Sequence, residues 1–220
     1  MKEQDLEEKL IREAAQWRLI SLLFECPTGQ WLEQVRSLAA AVKDPQLKKA
    51  ARAASDEASE GTYHSIFGPG GPAPAREVTY RSWVQPGYLL SELAAFYKAF
   101  SYKPDSAEIL DHIAVETGFI AYLRLKQAYA VACSDDEHAR TTAKAAKTFV
   151  ADHLTKSATH LKRSLSFSGV NYLALTSAAL LKRVGKDKDK DPRSRTALPV
   201  MESVTEDEFG CDDSPLEVAW

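Results

Sequence analysis

Ile109-Leu110-Asp111-His112-Ile113-Ala114-Val115-Glu116-Thr117-Gly118-Phe119-Ile120-Ala121-Tyr122-Leu123 is the stretch on which the fold reading turns. Projected on a helix at about 100° per residue, Ile109, Ile113, Phe119, Ile120 and Leu123 fall within roughly 120° and form a core stripe. His112 and Glu116 fall inside the same sector, one turn apart, and Asp111 sits on its flank beside Val115 and Tyr122. Ionisable groups on an apolar stripe need partners, since burying even a neutral polar group unpaired costs about 2–7 kcal/mol. The residues allow three readings. His112 and Glu116 pair with each other, or cap orphan backbone groups of a neighbouring helix. The sector lines a groove that receives a partner's cationic or polar groups. Or the two side chains ligate a metal, for which no third ligand stands at a suitable spacing.

Helical periodicity continues in both directions, and strand signals are almost absent. Toward the N-terminus, Leu6, Leu10, Ala14, Trp17, Ile20 and Phe24 step by three and four residues up to Cys26-Pro27. Leu32, Val35, Leu38 and Val42 mark a second helix, and Asp44-Pro45 opens a third, Ala-rich and charged, running to about Phe67. Leu89, Leu93, Phe96 and Phe100 mark the next. A long helix is expected from after Pro104 to about Ala132, another from about Asp135 to Leu165, and a last from Val170 to Val184. The last is apolar on most sides, as a central bundle helix would be. The predicted fold class is all-α, a single-domain helical bundle over residues 1–184. Residues 68–87 interrupt it with four Pro and four Gly, and a loop of that length is usually functional or disordered. Val78, Tyr80 and Trp83 favour a loop that packs on something.

Net charge is −3, but residues 185–220 hold five Lys/Arg against ten Asp/Glu, leaving a body near +2 and a tail at −5. That is not a nucleic-acid-binding profile. The tail is expected to be flexible and mostly disordered. Cys26, Cys133 and Cys211 are isolated and odd in number, which fits a reducing compartment rather than a disulfide framework. Met1 to Glu8 is acidic and helical in pattern, unlike a secretory n-region, and the longest uncharged run, Ser164 to Leu181 apart from its polar breaks, is short for a bilayer. A cytoplasmic protein is expected.

Glu60-x-x-Tyr63-x-x-x-Phe67-Gly68-Pro69-Gly70 leads into the loop with Arg76-Glu77-Val78, and Asp111-His112-Ile113-x-x-Glu116-x-x-Phe119 follows. Together these motifs resemble those of the TorD/DmsD/NarJ family of molybdoenzyme maturation chaperones, the reductase delta-subunit type, over about residues 5–184. The chain departs from that pattern at Leu110, where Pro is common, at Thr117, where Leu is common, and at Ser157, where a Trp often follows the His-Leu pair. The resemblance implies a chaperone that holds the precursor of a molybdopterin oxidoreductase catalytic subunit, including a twin-arginine signal peptide, until cofactor insertion. It implies no cofactor and no catalysis by the chain itself. Such a leader offers an Arg pair and an apolar segment, so its receptor needs carboxylates beside an apolar trough. Candidate carboxylates are Asp111, Glu116 and Glu77, with Glu92 behind them. His112 stands among them, and Arg76 is placed to clamp the loop on Asp111. Trp83, Tyr80, Phe96, Tyr97 and Phe119 are candidates for the apolar wall, although Phe96 and Phe119 also lie on core stripes.

Two other classes compete. An enzyme lacks support, because Gly68-Pro69-Gly70-Gly71-Pro72 offers too few backbone N–H groups for phosphate and no nucleophile motif occurs. A helical adaptor or regulator without a molybdoenzyme client would share the fold class and the charge balance.

Overall fold

The computed structural model describes residues 3–82 and 84–185. Trp83 and the acidic stretch from residue 186 lie outside the described residues. The architecture is all-α, with nine α-helices among the described residues: α1 (Glu3–Leu23), α2 (Trp31–Ala41), α3 (Pro45–Glu57), α4 (Glu60–Phe67), α5 (Pro86–Ala99), α6 (Ile113–Ala132), α7 (Asp136–Phe149), α8 (Thr155–Leu165) and α9 (Asn171–Val184). A 3-10 turn, Glu77–Tyr80, sits in the Pro/Gly loop, and a π-helical turn, Val150–Leu154, joins α7 to α8.

Local chemistry sets several helix starts. Asp44 accepts from the N–H groups of Gln46 and Leu47 and Pro45 opens α3, a strong N-terminal signal. Ser59 caps α4 through Thr62 N–H, which breaks the single helix expected as far as Phe67 into α3 and α4. Asp135 caps α7.

The core is built on α1 against α6, with α7 on the other flank of α6 and α9 against α3 and α8. Gly118 allows the α1–α6 approach: a Cβ there would stand 3.1 Å from Ser21 Oγ and 2.8 Å from Tyr102 Oη. Phe119 is at the centre of an aromatic cluster, with ring centroids 4.9 Å from both Tyr97 and Phe149 and 5.2 Å from Tyr102.

The reading of residues 109–123 needs correction at its start. The helix begins at Ile113, not after Pro104, and Ile109 is 41% exposed rather than part of the core stripe. Residues 111–121 are all buried, so the first turns of α6 have no polar face at all. This helix, more than α9, occupies the central position.

Candidate functional site

A helix that starts in the interior has backbone donors that water cannot reach, and they must find partners. In α6 the loop supplies one. Ala75 C=O accepts from Ile113 N–H at 2.8 Å, and Asp111 C=O accepts from Glu77 N–H at 2.8 Å. Arg76 and His112 thereby form an isolated antiparallel bridge. His112 is the N-cap of α6, its Nδ1 accepting from Ala114 N–H at 3.2 Å. That bond puts the ring proton on Nε2, which donates to the Tyr63 hydroxyl at 3.1 Å, and Tyr63 donates onward to Glu108. Tyr63 and Phe67, both on α4, lie with ring centroids 6.4 and 6.3 Å from His112. Burial pulls the His112 imidazole down to about 4, with Arg76 adding to the depression and Glu108 and Asp111 opposing it. The ring is neutral at physiological pH. His112 and Glu116 do not pair with each other.

Side chains reinforce the backbone bridge. Arg76 Nε donates to Asp111 Oδ1 at 2.9 Å and Val78 N–H reaches Oδ2 at 3.3 Å; the Asp111 side chain is fully buried while Arg76 remains 39% exposed. Arg76 and Asp111 therefore clamp the loop onto the start of α6. One residue on, Glu77 is buried in the 3-10 turn. Arg81 donates to its Oε1 at 2.8 Å, and His153 Nδ1 stands 3.0 Å from its Oε2. His153 comes from the π turn, an irregularity that re-aims side chains and recurs at functional positions.

Glu116 completes the cluster. It is fully buried, and as an ionised carboxylate it would have no hydrogen bond to either oxygen. Its charged neighbour is Glu77. Burial, the charge and hydrogen bond of Glu77, and the charge of Asp111 push the Glu116 carboxyl well above its ordinary range, with Arg81 opposing. A protonated Glu116 can donate to Glu77, and two facing carboxylates that share one proton resolve the otherwise unsatisfied oxygens. Burial alone would raise Glu77, but His153, the bond from Glu116 and the charge of Arg81 hold it below the usual range. So one carboxylate is charged and the other neutral.

The remaining candidates are distributed as follows. Tyr97 is buried and donates to Leu110 C=O at 2.9 Å, fixing the residue ahead of Asp111. Phe119 is in the core. Tyr80 is half-buried, donates to Pro74 C=O at 2.6 Å and stacks on His160 at 5.9 Å between centroids. Phe96 is half-buried, edge-on to Phe149 and His153. Glu92 is exposed on α5, apart from these ion pairs. The cluster also contains Arg81, His153, Tyr63 and Glu108, which were not among the sequence candidates. Arg81 was within reach, four residues after Glu77. His153 enters the sequence reading only as the first residue of the His-Leu pair, with no pointer to Glu77. Among the described residues, no group of three or more His, Cys, Asp or Glu is placed to hold a metal ion, and no helix is long and apolar enough to cross a membrane.

The sequence model of the nitrate reductase delta subunit family matches residues 34–161. The chain belongs to this family. Nitrate reductase delta subunits of this type are maturation chaperones of molybdoenzymes, and the expected resemblance is thereby established. The matched segment contains Tyr63, Arg76, Glu77, Arg81, Asp111, His112, Glu116 and His153, so the whole latch between loop and α6 lies within the region that the family model covers. A comparison with curated proteins gives no match.

Proposed function

We propose that this delta-subunit-type chain is a cytoplasmic chaperone, without catalytic activity of its own, that holds the precursor of a molybdopterin oxidoreductase catalytic subunit while its cofactor is inserted. Family membership supports the general role. The finer reading, capture of an arginine-bearing leader, is carried by one observation: Asp111 and Glu77 each already hold a guanidinium, from Arg76 and Arg81, and these two arginines keep 39% and 22% of their side-chain surface exposed.

A twin-arginine leader presents the same group twice. Bidentate guanidinium–carboxylate pairing rewards a matching fork, so a leader can replace the loop's own arginines without leaving a buried carboxylate unpaired. Glu116, neutral beside Glu77, tunes the charge there. His112 and Tyr97 fix the backbone that presents Asp111. Phe119 supports that backbone from the core. Tyr80 supplies the apolar side of the site. The binding unit is residues 1–184.

The test is a calorimetric titration of a synthetic leader peptide with its Arg pair into wild type and into Asp111→Asn/Glu77→Gln, with circular dichroism to check that helicity is kept. A loss of at least about tenfold in affinity is expected, equivalent to about 1.4 kcal/mol. Equal affinities remove these carboxylates from the site.

A further inference from the structure

The α2–α3 hairpin carries a groove that the latch does not use. Residues early in α2 face residues late in α3, and the turn at Asp44-Pro45 closes one end. Near that end the groove has a volume of about 350 Å3, with Ala39 and Ala51 as its floor and Ala40, Arg36, Lys48 and Arg52 around it. It shares Ser55 with a smaller hollow of about 130 Å3 beside Leu32, Ala54 and Ala58. The two together follow the hairpin.

None of the rim cations is in contact with a carboxylate among the described residues. No carboxylate lines either hollow. Among the described residues Arg36, Lys48 and Arg52 make no hydrogen bond or ion pair with another side chain, whereas Arg18, Arg76, Arg81, Arg124 and Arg183 each hold a carboxylate. Three free cations around a floor of small residues fit a ligand with spaced oxyanions whose backbone can approach closely.

Three classes of macromolecule carry such anions. Nucleic acid needs a continuous positive field, but Glu33 on α2 and Asp56 on α3 interrupt it and the net charge of residues 1–184 is only +2. A membrane surface calls for exposed apolar side chains beside the cations. The large exposed ones are Ile11, Tyr88, Ile109, Leu125, Tyr129 and Phe167, none of them on α2 or α3. An acidic protein segment needs neither. We propose that the α2–α3 groove docks an acidic segment of a partner protein, Arg36, Lys48 and Arg52 pairing with its carboxylates and the alanine floor receiving its backbone and small side chains. This docking surface is separate from the loop latch and does not depend on a molybdoenzyme client.

The experiment uses the full chain and fluorescence anisotropy. The probes are a labelled peptide of about twelve residues alternating Glu with Ala, matched to the length of a helix of this hairpin, its Gln and Lys counterparts, phosphatidylserine vesicles and single-stranded DNA. The Glu peptide is expected to bind, more weakly as salt rises, and the Gln peptide at least about tenfold more weakly still. Arg36→Ala/Lys48→Ala/Arg52→Ala is expected to lose about tenfold or more for the Glu peptide. Arg36→Glu/Arg52→Glu is expected to switch preference to the Lys peptide, a gain that misfolding cannot produce. The proposal is overturned if the triple variant binds the Glu peptide like wild type, if the reversed variant still prefers Glu, or if vesicles or DNA outcompete the Glu peptide for the groove.

Discussion

His153 Nδ1 lies 3.0 Å from Glu77 Oε2, and neither side chain exposes any surface. The pair ties the π turn to the loop across 76 residues of sequence. Removing the Glu77 carboxylate takes away the partner of both His153 Nδ1 and the Arg81 guanidinium, and a buried group left unsatisfied costs about 1–3 kcal/mol, more where it is charged. Glu77→Gln is therefore expected to lower unfolding free energy by about 2–3 kcal/mol in urea titrations and to speed protease cutting between residues 68 and 87. Unchanged stability with unchanged cutting would mean that Glu77 does not hold the loop.

Glu116 gives the opposite result. Its carboxyl is raised in the folded state by burial and by Glu77, while in the unfolded chain it ionises near its ordinary 4.5. Above that value the unfolded state releases a proton that the folded state keeps, so stability falls as pH rises from 4.5 toward the raised value. Gln is the neutral analogue of the protonated acid. Glu116→Gln is expected to be at least as stable as wild type at pH 7, with an advantage that grows with pH, whereas Glu116→Ala loses stability at every pH through the cavity it leaves. Thermal melts across pH 5 to 9 read the difference directly.

Arg76 and Asp111 are coupled. Removing the guanidinium strands a fully buried carboxylate, so Arg76→Ala is expected to cost about 2–3 kcal/mol. Once the partner charge is also removed, much of that cost disappears. Arg76→Ala/Asp111→Asn should be less destabilised than the sum of the single changes, with a coupling of about 1 kcal/mol or more in a double-mutant cycle. Additive effects would make the bond at 2.9 Å energetically idle.

The acid limb of stability reports on His112. The folded imidazole titrates at about 4 and the unfolded one near 6.5, so between these values the unfolded chain takes up a proton that the folded chain refuses. Stability is lost as pH falls through that window, by on the order of 3 kcal/mol in total. Asn keeps an N-cap acceptor and cannot titrate. His112→Asn is expected to flatten the difference between urea midpoints at pH 6.5 and pH 4.5 relative to wild type, even if its stability at pH 7 is lower through the lost contact with Tyr63.

Local signals were readable wherever they determined structure by themselves. Asp44-Pro45 announces α3, and the Pro/Gly run announces the loop. The cap at Ser59 was equally local, and Ser59-Glu60 could have been separated from the Ala-rich run before it. The start of α6 was not readable in the same way. A wheel drawn from Ile109 assumes that the helix is already running, whereas His112 caps it and the buried Asp111 side chain holds the loop. Because residues 111–121 are buried on all sides, the spacing of their apolar residues carried no information about which face is which. The pairing of Arg76 with Asp111 could be anticipated from two opposite charges in two motifs. That of Glu77 with His153 could not, since it depends on a π turn with no sequence signature and on packing across the bundle. The buried carboxylates also turn inward to hold the loop, a role that periodicity cannot distinguish from lining an open groove.

Whether this chain holds an immature molybdoenzyme is decided most directly by affinity purification. The tagged full-length protein would be co-expressed with catalytic-subunit precursors of several molybdopterin oxidoreductases, each made with and without its leader and in cells able or unable to synthesise the cofactor. The expected result is a stable complex with one cofactor-free precursor, weakened by removal of the leader and released when cofactor is supplied. Retention of no precursor, or equal retention of the cofactor-loaded enzyme, would contradict it.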